Sequence, residues 1–167
     1  DDNATIYGSQ AADIITAGNA GDTIYGEDGA DRITGGAGND IINGGAGNDR
    51  IILTASEGRD TVTVGSGTDT ITGLSGSVAG NDQDVLVVTG TGIADVTLGD
   101  EWTATIATRN SGADNGAVQI DVDGKNLDLR LADTATAGTQ GFTVTNDKAD
   151  DNATIYGSQA ADIITAG

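Results

Sequence analysis

Histidine, cysteine, proline and methionine are all missing from this chain. Without cysteine there are no disulfides, no thiolate zinc site and no thiol catalysis. Without histidine the commonest general base and a common metal ligand are gone. Aromatic residues are few, with one Trp, three Tyr and one Phe. Basic residues are scarce as well: seven Lys and Arg stand against 26 Asp and Glu, for a net charge of −19. Such a surface repels nucleic acid and anionic membranes. No apolar run approaches the roughly 20 residues that span a bilayer, and no charged-then-apolar leader opens the chain. Low hydrophobicity with high net charge is also the composition of disordered chains, so order here depends on spacing and on something that neutralises the acids.

Spacing is what the chain has in abundance. Residues 1–18 (DDNATIYGSQAADIITAG) recur without change as residues 150–167, an offset of 149. The sequence therefore holds one full unit and the start of the next, as expected of a tandem array. Inside that unit runs a shorter period. Asp13, Asp22, Asp31, Asp40 and Asp49 are nine apart; after a two-residue insertion Asp60 and Asp69 are again nine apart. Two positions after each Asp stands an aliphatic: Ile15, Ile24, Ile33, Ile42, Ile51, Val62 and Ile71. Glycines crowd the positions before each Asp, most fully in Gly35-Gly36-Ala37-Gly38 and Gly44-Gly45-Ala46-Gly47, and more loosely in Gly26-Glu27-Asp28-Gly29. Ala11, Ala20 and Ala55-Ser56 depart from the glycine positions.

Each unit reads as a glycine turn closed by an Asp and followed by a three-residue strand whose middle aliphatic points inward. The pattern, G-G-x-G-x-D-x-U-x with U a large aliphatic, resembles the RTX, or haemolysin-type, calcium-binding nonapeptide repeat over residues 8–72. That resemblance implies a parallel β-roll in which two nonapeptides complete one coil and turns alternate between two sides. Asp13, Asp31, Asp49 and Asp69 would line one side; Asp22, Asp40 and Asp60 would line the other. Coils stacked about 4.8 Å apart set these carboxylates against one another, at a repulsion of roughly 3 kcal/mol per pair for an effective dielectric near 20. A metal-free roll is therefore expected to be unstable. A hard divalent cation turns repelling acids into shared ligands, and calcium accepts six to eight oxygens, including backbone carbonyls, where magnesium is stricter. The resemblance makes the seven Asp side chains ligands of several calcium ions, about three to six, with carbonyls from Gly26, Glu27, Asp28, Gly29, Gly35, Gly36, Ala37, Gly38, Gly44, Gly45, Ala46 and Gly47.

From about residue 73 the nine-residue register fades. Ala79–Val88 (AGNDQDVLVV) reads as a degenerate closing unit running into a buried strand, with Asp82 and Asp84 either in a polar turn or binding a last ion. Beyond it, alternation takes over: Trp102, Ala104 and Ile106 on one face; Val118, Ile120 and Val122 on another; Leu127, Leu129 and Leu131 alternating with Asp128 and Arg130; then Phe142 and Val144. Asp123-Gly124 is a hairpin signal. The expected fold is all-β: a parallel β-roll over 1–88, a small antiparallel β region over 89–149 (a sandwich or a cap), and the start of the next repeat at 150–167.

Function follows from the array. An exact duplication suits a calcium-stiffened link in a secreted fibre, such as a giant type I-secreted adhesin or a surface-layer protein, at the cell surface or outside the cell. Its partners would then be neighbouring identical repeats and calcium. The alternatives are a calcium-dependent folding and secretion module of an RTX exoenzyme, or a repeat that binds carbohydrate or ice. The outward series Thr16, Thr34, Ile52, Thr72 and Tyr25, Asn43, Thr63 is irregular for an ice face. Catalysis is not expected, since neither a His base nor a thiol is present.

Overall fold

The computed structural model describes residues 2–54, 58–76, 82–105, 107–111, 118–132, 141–148 and 152–166. Ile106, Ala55-Ser56 and the Ala79–Asn81 start of the closing unit lie outside them. Sixteen strands follow one another: β1 (Thr5–Ser9), β2 (Ile14–Thr16), β3 (Thr23–Glu27), β4 (Arg32–Thr34), β5 (Ile41–Asn43), β6 (Arg50–Ile52), β7 (Thr61–Val64), β8 (Gly67–Gly76), β9 (Val85–Thr89), β10 (Gly92–Thr103), β11 (Arg109–Ser111), β12 (Val118–Asp121), β13 (Leu127–Asp128), β14 (Thr143–Asn146), β15 (Ile155–Tyr156) and β16 (Ile163–Ala166). They form a β-solenoid of two walls. One wall is ordered β1-β3-β5-β7-β9-β11 and the other β2-β4-β6-β8-β10-β12-β14-β16, with β13 paired to β10 and β15 to β13.

The nine-residue period sets the first coils. Thr5 pairs with Thr23 and Thr23 with Ile41; on the other wall Ile14 pairs with Arg32 and Arg32 with Arg50. Each coil is thus two nonapeptides. The seven inward aliphatics are all buried, because in a three-residue strand only the middle side chain faces the interior. The outward series also stack as expected, Thr16 on Thr34 on Ile52 on Thr72.

The second half corrects the antiparallel expectation. Every described strand pair from β8 onward is parallel: β8 with β10, β10 with β12, β12 with β14, and β9 with β11. The solenoid does not stop at residue 88; its coils widen, so that Thr70 pairs with Asp95, Asp95 with Gln119 and Gln119 with Thr143. The hydrophobic core is likewise one cluster running from Ile15 to Val144. Alternation of apolar and polar residues is the usual mark of an antiparallel sheet with one solvated face, but a solenoid wall is parallel and has one solvated face too, which is how the two readings diverged.

Asp123-Gly124 does make a tight turn, closed by the Lys125 N–H donating to the Val122 carbonyl at 2.8 Å, with both residues at positive φ (49° and 78°). The strands on either side of it do not pair with each other. β12 and β13 both lie parallel against β10, so the turn is a corner and not a hairpin. Trp102, Ala104, Val118, Ile120, Val122, Leu127, Leu129, Phe142 and Val144 are buried as expected, whereas Leu131 is 44% exposed. The Trp102 indole N–H donates to the Asp84 carbonyl at 3.0 Å.

Glycine is required where coils touch. At Gly45 (φ 96°) a side chain would be driven into the Glu27 carbonyl one coil away, whereas Gly90 (φ 63°) has open space around it. Gly90→Ala is expected to lose only the left-handed backbone preference, about 1 kcal/mol. Gly45→Ala should lose at least twice that, because the coil spacing must yield as well. Urea midpoints measured in calcium check the ranking, and equal losses would contradict it.

Candidate metal centre

Stacking the coils lines up the acids in two ladders. In each, the backbone N–H of one Asp donates to Oδ1 of the Asp in the next coil. The first ladder runs Asp13 to Asp31 (2.8 Å), Asp31 to Asp49 (2.9 Å) and Asp49 to Asp69 (2.9 Å). The second runs Asp22 to Asp40 (2.8 Å), Asp40 to Asp60 (2.9 Å) and Asp60 to Asp84 (2.8 Å). Asp22, Asp31, Asp40, Asp49, Asp60, Asp69 and Asp84 are all buried. Asp84, for which a polar turn and a last ion site were both open, is the final member of the second ladder. Its signal was the aliphatic two positions later, Leu86, which is fully buried like Ile24 and Ile42; the glycine half of the motif had already lapsed.

With Oδ1 engaged, each carboxylate turns Oδ2 back over its own turn. The first glycine of the motif permits this, since a methyl on Gly26, Gly35 or Gly44 would run into Oδ2 of Asp31, Asp40 or Asp49. At Asp13 and Asp22, which begin the two ladders, and at Asp84, which ends the second, that oxygen is satisfied from within. Asp13 Oδ2 accepts from the Ser9 N–H (2.6 Å) and hydroxyl (2.9 Å), Asp22 Oδ2 from the Gly18 N–H (3.1 Å), and Asp84 Oδ2 from the Ser75 N–H (2.9 Å). At Asp69, which ends the first ladder, and at three inner acids it is not. Oδ2 of Asp31, Asp40, Asp49 and Asp69 is buried with no hydrogen-bond partner. A buried carboxylate oxygen left bare is costly, and a cation would relieve all four, three in the first ladder and one in the second.

The chemistry of the donor set fits a hard one. Among the described residues no three acidic side chains converge on a point, so backbone carbonyls must complete any coordination shell. The turns supply them. Gly26, Gly35 and Gly44 are buried, and Gly29, Gly36, Ala37, Gly38, Gly45, Ala46 and Gly47 are half-buried. The carbonyls of Glu27, Gly45 and Ala46 already accept an N–H from an adjacent coil (Ala46, Ser66 and Gly29 donating at 2.8, 3.2 and 2.7 Å), which leaves each a second lone pair. The side chains of Glu27 and Asp28 are exposed and border a cavity of about 180 Å³ between the turns at 26–29 and 44–47. Asparagines before the Asp add an unforeseen brace: Oδ1 of Asn39 accepts from the Arg59 N–H (2.8 Å) and Oδ1 of Asn48 from the Thr68 N–H (2.9 Å).

The match to known proteins falls on these turns. A family model for the RTX calcium-binding nonapeptide repeat matches residues 1–33, 16–51 and 52–77. Residues 1–77 are RTX repeats. Calcium binding and a stacked, structural role come with that membership, and RTX repeats are typical of secreted proteins. No curated protein and no solved structure matches the chain. Among the described residues no helix is long and apolar enough to cross a membrane.

Metal-free, five acids of the RTX ladders hold their protons more tightly than a free carboxyl does. Burial, reinforced by the neighbouring carboxylates, raises Asp40 and Asp69 from 3.8 to about 6 and Asp60 and Asp84 to about 7, and pushes Asp49 upward too. The N–H bonds along each ladder oppose the shift. A folded pKa above the unfolded one means that the folded state binds more protons between pH 4 and 7. The associated stability is full below about pH 4 and is lost as pH rises through 6 to 7. In chelator, the melting temperature should therefore rise as pH is lowered from 7.5 to 4.5. A flat profile, or a fall over that range, would contradict the burial of the ladders.

Proposed function

We propose that the chain is a calcium-stiffened structural link in a large secreted fibrous protein of the cell surface, such as an adhesin, and that it folds on meeting extracellular calcium. The observation that carries this reading is the set of four unpartnered, buried carboxylate oxygens, on Asp31, Asp40, Asp49 and Asp69, in the two ladders. Asp31, Asp40, Asp49 and Asp69 are the foremost ligands. Asp13, Asp22 and Asp60, with the carbonyls of the glycine turns, fill out the shells of several ions. The exact 149-residue recurrence favours a fibre over an exoenzyme module, because a fibre needs identical links and a secretion aid does not. The whole 149 residues make one link, with ion-held narrow coils at one end and apolar wide coils at the other.

Extracellular calcium modules bind with dissociation constants of about 10⁻⁴–10⁻³ M. Below that concentration the acidic ladders keep the narrow coils open, and the chain is in a form that can be exported. Above it, each site filled at a hundred times its dissociation constant adds about 2.7 kcal/mol. Titration followed by circular dichroism should show β structure gained with calcium near millimolar concentration and not with equal magnesium. No calcium-specific gain would remove the proposal.

Asp49→Asn separates a ligand from a mere turn residue. It removes a buried charge while keeping an Oδ1 acceptor for the Asp31 N–H. The expected result is unchanged or higher stability in chelator, together with a smaller calcium-induced rise in melting temperature, by about 3 kcal/mol-equivalents or less per lost site. An unaltered calcium response would remove Asp49 from the ligand set.

A further inference from the structure

The register of the second wall closes on itself over one repeat. Starting at Ile14, partners run to Arg32, Arg50, Thr70, Asp95, Gln119, Thr143 and Ile163. Ile163 is the copy of Ile14, 149 residues on. Coils of different width therefore add up to a whole number, seven, and β16, the copy of β2, lies in the same wall, at the same register and with the same face inward, while β15, the copy of β1, joins β13 and not the first wall, which ends at β11.

The join itself is made. β16 pairs with β14 in four consecutive positions, and the Ile163 N–H donates to the Phe142 carbonyl at 2.9 Å. Oδ1 of Asp162, the copy of Asp13, accepts the Phe142 N–H at 2.8 Å, as Asp31 accepts that of Asp13. β15, the copy of β1's Ile6-Tyr7, pairs with β13: the Leu127 and Leu129 N–H groups donate to the Thr154 and Tyr156 carbonyls, and Asn126 Oδ1 accepts the Thr154 N–H. The Arg130 guanidinium lies over the Tyr156 ring at 4.3 Å, and Tyr7, its counterpart, stacks on Tyr25 at 5.1 Å. Burial is complementary too. Ile15, covered only by the coil after it, is 8% exposed; in its copy Ile164, covered only by the coil before it, 48% is exposed. A repeat with neighbours on both sides covers both faces.

The geometry points to a seamless array: successive repeats are joined as one uninterrupted solenoid, the first coil of each (residues 4–18) being the docking partner of the last coil (residues 127–146) of the repeat before it. Each repeat advances the fibre by seven strand spacings, about 34 Å. This deepens the structural-link reading and rests on it.

Chains of one, two and three 149-residue repeats, each ending in the same 150–167 segment, test it in calcium by small-angle X-ray scattering beside circular dichroism. The expected result is a stiff rod whose length grows by about 34 Å per repeat. Folded chains that scatter as flexibly linked beads, or lengthen by a different step, overturn the inference and leave the calcium reading standing. Chains that remain expanded coils in calcium overturn both. In the 167-residue chain, which has no cysteine of its own, the in-register pair Thr143→Cys with Ile163→Cys should oxidise readily in calcium. The out-of-register pair Thr143→Cys with Thr165→Cys should not. Equal oxidation of the two pairs would overturn the join.

Discussion

Parallel stacking of identical acidic turns is the constraint on which this molecule depends. A solenoid gains its hydrogen bonds by placing each coil directly on the last, so any residue that repeats with the coil meets its own copy one strand spacing away. For isoleucine that contact is favourable. For aspartate it is a repulsion of roughly 3 kcal/mol at an effective dielectric near 20. The ladder of N–H bonds to Oδ1 settles half of each carboxylate. The other oxygen is bare on Asp31, Asp40, Asp49 and Asp69, and the proposed dependence of folding on calcium rests on those four atoms.

The two kinds of coil divide the work. Narrow coils bury little more than one aliphatic per strand, and their order depends on the turns. Wide coils enclose Trp102, Leu127, Leu129 and Phe142, all fully or nearly fully buried; aromatic and leucine burial of this kind stabilises by about 1.5–3 kcal/mol per side chain. Asp84 sits at the changeover. It ends the second acidic ladder, and its carbonyl receives the Trp102 indole. Ser75 satisfies its Oδ2, as Ser9 satisfies that of Asp13. Asp13 and Asp84 are thus held by protein groups, whereas Oδ2 of Asp31, Asp40, Asp49 and Asp69 has none.

Much of the first half was legible because each of its positions has a single physical demand that recurs at a fixed interval. Asp closes a turn, glycine makes room for the carboxylate, and the aliphatic two places on enters the core. Seven such units fix the coil length, the two ladders and the inward face. The second half was less legible because its coils share a length but not a motif. Its buried residues were found from alternation, yet alternation reads the same in a parallel solenoid wall as in an antiparallel sheet with one solvated face, and Asp123-Gly124 carries hairpin chemistry at what proves to be a corner. Asn39 and Asn48 were overlooked because a side chain that caps the next coil leaves no period of its own beyond that of the turn. The integral coil count of the repeat was hidden for a related reason: it emerges only once the widths of the wide coils are known.

Diffraction from crystals grown in millimolar calcium bears most directly on the claim that ions hold the ladders together. Ions are expected 2.3–2.6 Å from Oδ2 of Asp31, Asp40, Asp49 and Asp69, with backbone carbonyls completing shells of about six to eight oxygens. Ordered coils in which those oxygens meet only water or protein N–H groups would contradict the account.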